Sequence, residues 1–353
     1  MLRRPARGLL AAWGVVLGLT AVSAALVLGL LREPPRIAPP AEAASTASVP
    51  RVTSLKLPPR HTDFRIVPSA EREAMVETTA DGLRLPRISP AGWMPWIAYS
   101  RRYPPEGPAP RVGLLMINVG SDEALMQRAI DELPGEVSLA FLPGTPDLGR
   151  WMGRAHDRGH ESYLMLPIED PAGTVERGIR PIDASAEAAE NIRRLRSAMA
   201  RAEGYVGFVM PAPGPVSRQE ASARPLVKEI ADRGLALIEI TPAPGASTLY
   251  QLTGELGVGY ARSSTVLDYK LAGPDIGANL DRMLAWTGEG RPDRPRHEFG
   301  VLQPAPQSID AIVAWRARVA NQASVALVPI IGHFECQDAC MSRVRLQPAQ
   351  LRP

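Results

Sequence analysis

The sequence predicts an α/β protein: an irregular barrel of seven or eight parallel strands joined by helices, with an open doubly wound parallel sheet as the runner-up. Three observations predict it. Short apolar runs recur between residues 112 and 328. Segments with helical spacing of apolar residues separate most of them, which is the pattern of parallel strands with crossover helices. Seven or eight such units fill the roughly 200 to 250 residues that a barrel takes.

The elements follow in order. Arg3, Arg4 and Arg7 precede an uncharged run from Gly8 to Leu31. As a helix that run spans about 36 Å, more than the ~30 Å hydrocarbon core. Residues 1–7 are therefore expected in the cytoplasm, 8–31 as a single-pass anchor in a bacterial inner membrane, and the rest in the periplasm. A cleaved signal peptide, with Val22-Ser23-Ala24 as its cleavage site, is the competing reading. Residues 32–63 are rich in Pro, Ala and Ser and read as an extended linker. Residues 64–110 form a lead-in unit of short pieces between turn signals. Its Trp93, Trp96 and Tyr99 close one end of the core or, alternatively, offer a carbohydrate-stacking surface.

The main domain is expected over 111–330. Its strands are read at 112–117, 137–142, 162–167, 205–210, 235–240, 257–261, 299–303 and 323–328. Its helices run from a Ser121 cap to Leu133, from Gly144 to Gly159, and over 186–202, 218–233, 276–286 and 308–321. Residues 331–353 read as a tail. Its Cys336 and Cys340 are expected to form a local disulfide, as a close pair does in an oxidising compartment.

Chemistry in such a fold gathers at the C-terminal ends of the strands. Those ends carry Asn118, Pro143-Gly144, Pro167 with Glu169 and Asp170, Pro211 to Gly214, Glu239 with Thr241, Asp268 and Gln303. None carries a histidine. His156 and His160 flank a helix end, where a cation suits the dipole; His61, His297 and His333 lie elsewhere. A hydrolytic zinc needs at least three good ligands, and these positions do not supply them. There is no GxSxG elbow and no P-loop. "GELGVG" at 254–259 has the wrong spacing for a dinucleotide fingerprint and reads as a helix terminus. A net charge of +3, with arginines dispersed among acids, argues against a nucleic-acid partner.

The run "ELPGEVSLAFLPGTPDLGRWMGRAHDRGHESYLMLPIED" resembles the divergent polysaccharide deacetylase family of the NodB-like carbohydrate esterases. "VGFVM", "RGLALIEI", "VLD" and "SIDAI" carry the resemblance from about Val112 to Val328. It implies a NodB-like barrel, a divalent metal such as zinc in the ancestor, and deacetylation of a polysaccharide. At the positions where the family places its metal and catalytic groups, this chain has Ile117 and Asn118, Met165, Val209 to Gly214, Ile238 to Ile240, and Leu302 to Ala305. Gly120, Glu169 and Asp268 match the family pattern, and Glu239 is a conservative change.

The expectation is therefore a member that has lost metal-dependent deacetylation, has no cofactor, and binds an envelope glycan or a periplasmic protein. Asn118, Gly120, Glu169, Asp170, Asp268 and Gln303 are its candidate ligand-binding residues. A working hydrolase with Glu169, Glu239 and Asp268 as acid and base is one alternative, and a protein-binding scaffold is another. Glu169 and Asp268 also have a purely structural reading, as hydrogen-bonding partners of loops at the barrel mouth.

Overall fold

A computed structural model describes residues 55–56, 64–102, 110–169, 178–211, 213–241, 247–291, 293–294, 296–319, 325–336 and 339–340. The segment 8–31 expected as an anchor, nearly all of the expected linker, and Asp170 lie outside the described residues. Among the described residues no helix is long and apolar enough to cross a membrane.

The lead-in residues form helix α1 (Ser69–Ala74), the antiparallel pair β2 (Val76–Thr78) and β3 (Arg84–Pro86), and the short helix α2 (Pro95–Ala98). The central strand is β4 (Arg111–Val119). It pairs along one edge with β11 (His297–Leu302). Its other edge takes first β12 (Val325–Leu327) and then β5 (Ser138–Phe141). From β5 the order runs through β6 (Ser162–Met165), β7 (Gly207–Met210), β8 (Ala236–Ile240) and β9 (Tyr260–Ser263), every pairing parallel. β10 (Thr265–Val266) follows one residue after β9 and pairs with β11. The segment 260–266 thus bridges β8 to β11, and the sheet becomes a nearly closed barrel rather than the open sheet of the runner-up. β1 (Leu55–Lys56), inside the expected linker, adds an outer strand to β12.

The outer layer is α3 (Glu123–Glu132), α4 (Leu148–Asp157), α5 (Ala188–Met199), α6 (Pro215–Arg218), α7 (Glu220–Asp232), α8 (Leu249–Leu256), α9 (Gly273–Gly288) and α10 (Pro306–Val319). Asp122, not Ser121, caps α3: its carboxylate accepts the Leu125 N–H at 2.8 Å. Gly257, in "GELGVG", ends α8 in the left-handed conformation, with φ at 69°.

Two cores result from strand alternation. Leu114, Met116, Leu139, Phe141, Leu164, Phe208 and Leu237 face the helices. Leu115, Ala140, Tyr163, Met165, Val209, Ile238, Ile240, Ala261, Phe299 and Val301 fill the barrel. Trp93 and Trp96 join this inner cluster at 6% exposure each, so they close the core rather than present a stacking surface. Gly207 is required where β7 meets β8, because a Cβ there lies 2.1 Å from the Ala236 carbonyl oxygen.

The N-terminal end of the barrel is sealed by a buried polar network. Glu161, directly before β6, is fully buried. Its Oε1 accepts the Arg101 N–H at 2.9 Å. Its Oε2 accepts the Ser138 hydroxyl at 3.0 Å, the Tyr163 hydroxyl at 2.9 Å and the Ile331 N–H at 3.3 Å. Arg101 also pairs with buried Glu136 at 3.2 Å and donates to the Gly159 carbonyl at 2.9 Å. Residues past 330, expected as a tail, belong to this seal. Ile330 and Ile331 are buried in the inner cluster, Glu335 bridges to Tyr260, and the Cys336–Cys340 disulfide places Cys340 in the same core.

Removing one member of a buried ion pair strands the other. Arg101→Met is expected to cost about 3–5 kcal/mol of stability, read by chemical denaturation, and adding Glu136→Leu is expected to recover part of it. A loss under about 1 kcal/mol, as for an exposed pair, would contradict the network's role.

Candidate functional site

The mouth lies at the opposite end, where the strands finish. On β4 the register slips between Met116 and Val119, and Asn118 turns left-handed with φ at 57°. Asn is one of the few residues with a side chain that tolerate this. Its Nδ2 donates to Gln303 Oε1 at 3.4 Å. The Gln303 N–H donates to Asp268 Oδ2 at 2.6 Å, and the Ser308 hydroxyl donates to the same oxygen at 2.8 Å. Asn118, Gln303 and Asp268 therefore form one connected rim. Asp268, 6% exposed, ties the end of β11 to the start of α10.

The other candidates are placed apart from this rim. Glu239 sits between Ile238 and Ile240 of the inner cluster, so its side chain points the other way, to the helix layer. There it accepts the Tyr260 hydroxyl at 2.5 Å through Oε2, while its buried Oε1 has no partner among the described residues. Burial, then the Glu239 charge, raise the Tyr260 pKa. Glu169 is exposed beside Asp183, and its N–H donates to the Ile182 carbonyl at 2.9 Å. Among the described residues no three of His, Cys, Asp or Glu gather closely enough to hold a metal ion.

The interior-facing side chains near the strand ends are Ile117, Leu142, Met165, Val209, Ile240 and Val301. A catalytic zinc takes imidazole, thiolate or carboxylate ligands. These side chains do not fit it.

The described histidines are at the other end, and His61 lies outside the described residues. His160 is 1% exposed, with Nδ1 at 2.7 Å from the Val137 carbonyl and Nε2 at 3.1 Å from that of Ile130. Burial lowers its pKa, and the ring is held between these two carbonyls in the packed interior rather than standing in water at the helix end. His156 stacks on Phe64 at 3.9 Å, and burial lowers its pKa too. His297 accepts the Arg111 N–H at 3.1 Å through Nδ1. Burial, followed by the charges of His297 and Arg111, pushes His333 down to about 3.

A cavity of about 400 Å³ opens beside the mouth between α3 and α4. Gly120, Ser121, Glu123, Thr145, Arg150 and Trp151 are among its lining residues. Gly120 has a packing reason to be glycine: φ is 111°, and a Cβ would lie 2.0 Å from Thr145 Oγ1. Asp147, left-handed at φ 52°, lines the same cavity. The sequence reading missed this cavity and the seal below. A carboxylate standing directly before each of two buried strands, Glu136 and Glu161, was the available signal for the seal.

This ring of short parallel strands, helix-wrapped and open at the strand C-termini, defines a NodB-like α/β barrel. The chain belongs to the divergent polysaccharide deacetylase family, whose pattern matches residues 115–331. Among solved structures it is similar to an uncharacterized protein of Agrobacterium tumefaciens C58, at 25% identity and a TM-score of 0.62 over 70% of this chain and 98% of that one. More distant are the catalytic domain of a peptidoglycan N-acetylglucosamine deacetylase from Eubacterium rectale (9% identity, TM-score 0.39, 65% of this chain and 92% of that one) and a CE4 family pseudoenzyme from Bacillus anthracis (12% identity, TM-score 0.33, 62% and 63%). Neither of these two is near enough to argue from. No curated protein matches the sequence.

The histidines set a pH dependence. An unfolded histidine titrates near 6.5, whereas native His333 resists protonation down to about 3. Between those values the unfolded chain holds a proton that the native chain does not, so stability falls as pH drops below about 6.5. His333 alone contributes about 1.4 kcal/mol per pH unit. His333→Leu is expected to flatten the slope of denaturation free energy between pH 6 and pH 4 by that amount. An unchanged slope would contradict the assignment.

Proposed function

We propose that the domain binds a cell-envelope glycan at its mouth and does not carry out metal-dependent deacetylation. One observation supports this above the others: the side chains that line the barrel near its strand ends, Ile117, Leu142, Met165, Val209, Ile240 and Val301, offer a catalytic cation no grip. Glu239 faces the helices, and Asp268 is occupied by the Gln303 N–H and the Ser308 hydroxyl. What remains at the rim is a polar edge suited to recognition. The Asn118 and Gln303 amides, linked at 3.4 Å, offer the donors and acceptors that bind hydroxyl and N-acetyl groups. The 400 Å³ cavity with Trp151 lies alongside.

The proposal includes the compartment. Residues 8–31, uncharged and preceded by Arg3, Arg4 and Arg7, would anchor the chain in the inner membrane and hold the barrel in the periplasm. A disulfide between Cys336 and Cys340 accords with an oxidising compartment.

Purified full chain is expected to carry no stoichiometric zinc and to release no acetate from N-acetylglucosamine oligomers, with or without added zinc. Acetate release that depends on zinc would overturn the reading. Asn118→Gly, which keeps the left-handed backbone but removes the amide, and Gln303→Ala are each expected to weaken glycan binding about tenfold, the worth of one or two hydrogen bonds.

A further inference from the structure

Aromatic side chains make up 5% of this chain, and most of those described are buried or half-buried. Among the described residues the exposed rings are Tyr250 at 47%, Tyr269 at 64% and Trp286 at 45%. Two of these flank one groove. It has a volume of about 330 Å³ and runs between β10 and α9, lined by Thr265, Val266, Tyr269, Arg282, Trp286 and Glu298 among others. It lies where the barrel wall is least regular, since β9 and β10 are short strands split at Ser264. No helix lies between them to cover their outward face, and Arg262, Ser264 and Val266 are exposed in turn.

The polar groups in the groove are arranged to receive a ligand. Asn279, 7% exposed, is spent on the fold: its Nδ2 donates to the Leu267 carbonyl at 2.6 Å, and its Oδ1 accepts from Arg282. That single bond fixes the Arg282 guanidinium at the groove wall and leaves its other N–H groups unpaired among the described residues. Glu298 lines the same groove; the nearby Ser263 hydroxyl donates to the Phe299 carbonyl at 2.5 Å, with Glu298 Oε1 at 3.2 Å as its longer alternative acceptor. Arg296 lies over one face of Trp286 at 5.0 Å from the ring centre and Lys270 over one face of Tyr269 at 5.9 Å, so a sugar would take the opposite face of each ring. On α9, Asn279, Arg282, Met283 and Trp286 stand at i, i+3, i+4 and i+7, so this face runs about 10 Å along the helix. Aromatic faces for the C–H side of a pyranose, with a donor fork and a carboxylate for its hydroxyls, are the complement of a sugar chain rather than of an apolar helix.

We infer that the groove between β10 and α9, with Tyr269 and Trp286 as stacking platforms and Arg282 and Glu298 as hydrogen-bonding walls, is a second glycan-binding site on the side of the barrel. The inference takes from the proposed function only the class of ligand. Its site is separate, so the two fail separately.

The test is titration of the full chain with chitohexaose as the probe, followed by calorimetry. Tyr269→Ala and Trp286→Ala are each expected to weaken binding about tenfold, and Arg282→Met to weaken it further. Both aromatic positions are exposed, so thermal melting should stay at the parent value and serves as the control for folding. Loss in these variants, with Asn118→Gly and Gln303→Ala retaining the groove's share of the binding, supports the second site whatever the mouth does. Unchanged affinity in the groove variants, loss confined to the mouth variants, or failure of the parent chain to bind the hexamer overturns it. A groove that captures a protein and leaves the sugar in solution overturns it equally.

Discussion

The whole barrel depends on keeping one buried carboxylate satisfied. Glu161 has no access to water, and an ionised or neutral carboxyl in such a place is tolerable only when its oxygens are hydrogen-bonded. Its four donors come from Arg101 in the lead-in, Ser138 on β5, Tyr163 on β6 and Ile331 near the chain's end. Burial still raises its pKa despite these bonds. Segments remote in sequence are thereby obliged to meet at one point, and the barrel floor is built where they do.

The usual division of labour in such barrels puts stability at the N-terminal face and chemistry at the other. This protein keeps the first half of that division in full. The floor concentrates its buried polar groups: Arg101, Glu136 and Glu161, with the His160 ring beside them. The mouth has gone the opposite way, toward apolar packing inside and a neutral amide rim outside. A carboxylate of the strand ends that does remain, Asp268, now binds backbone and hydroxyl hydrogens of its own chain.

Much of the fold was legible because short apolar runs and helix-spaced segments are local signals. The strand positions, the helix end at Gly257 and the Cys336–Cys340 pair could all be read from neighbouring residues. The facing of Glu239 could not. β8 is apolar on both sides, so the sequence carries no parity to say whether Glu239 faces the barrel interior or the helices. The floor was equally opaque, since its partners are separated by as many as 192 residues. His160 looked like a surface cation because a helix end usually lies in water; here the end of α4 does lie there, but His160, three residues further on, turns inward against the Val137 and Ile130 carbonyls. The side groove went unseen because β10 is only two residues long and has no strand signal.

One more consequence lies in the order in which the floor is assembled. Ile330 donates its N–H to Ser138 at 3.2 Å and Ile331 donates to Glu161, so the last keystone of the closed end is made from residues synthesised after every barrel strand. A polypeptide emerging from its N-terminus must therefore wait, with an acidic group in an unfinished cavity, until residue 331 has been delivered. Closure of the floor is thereby tied to the last part of the barrel to be made.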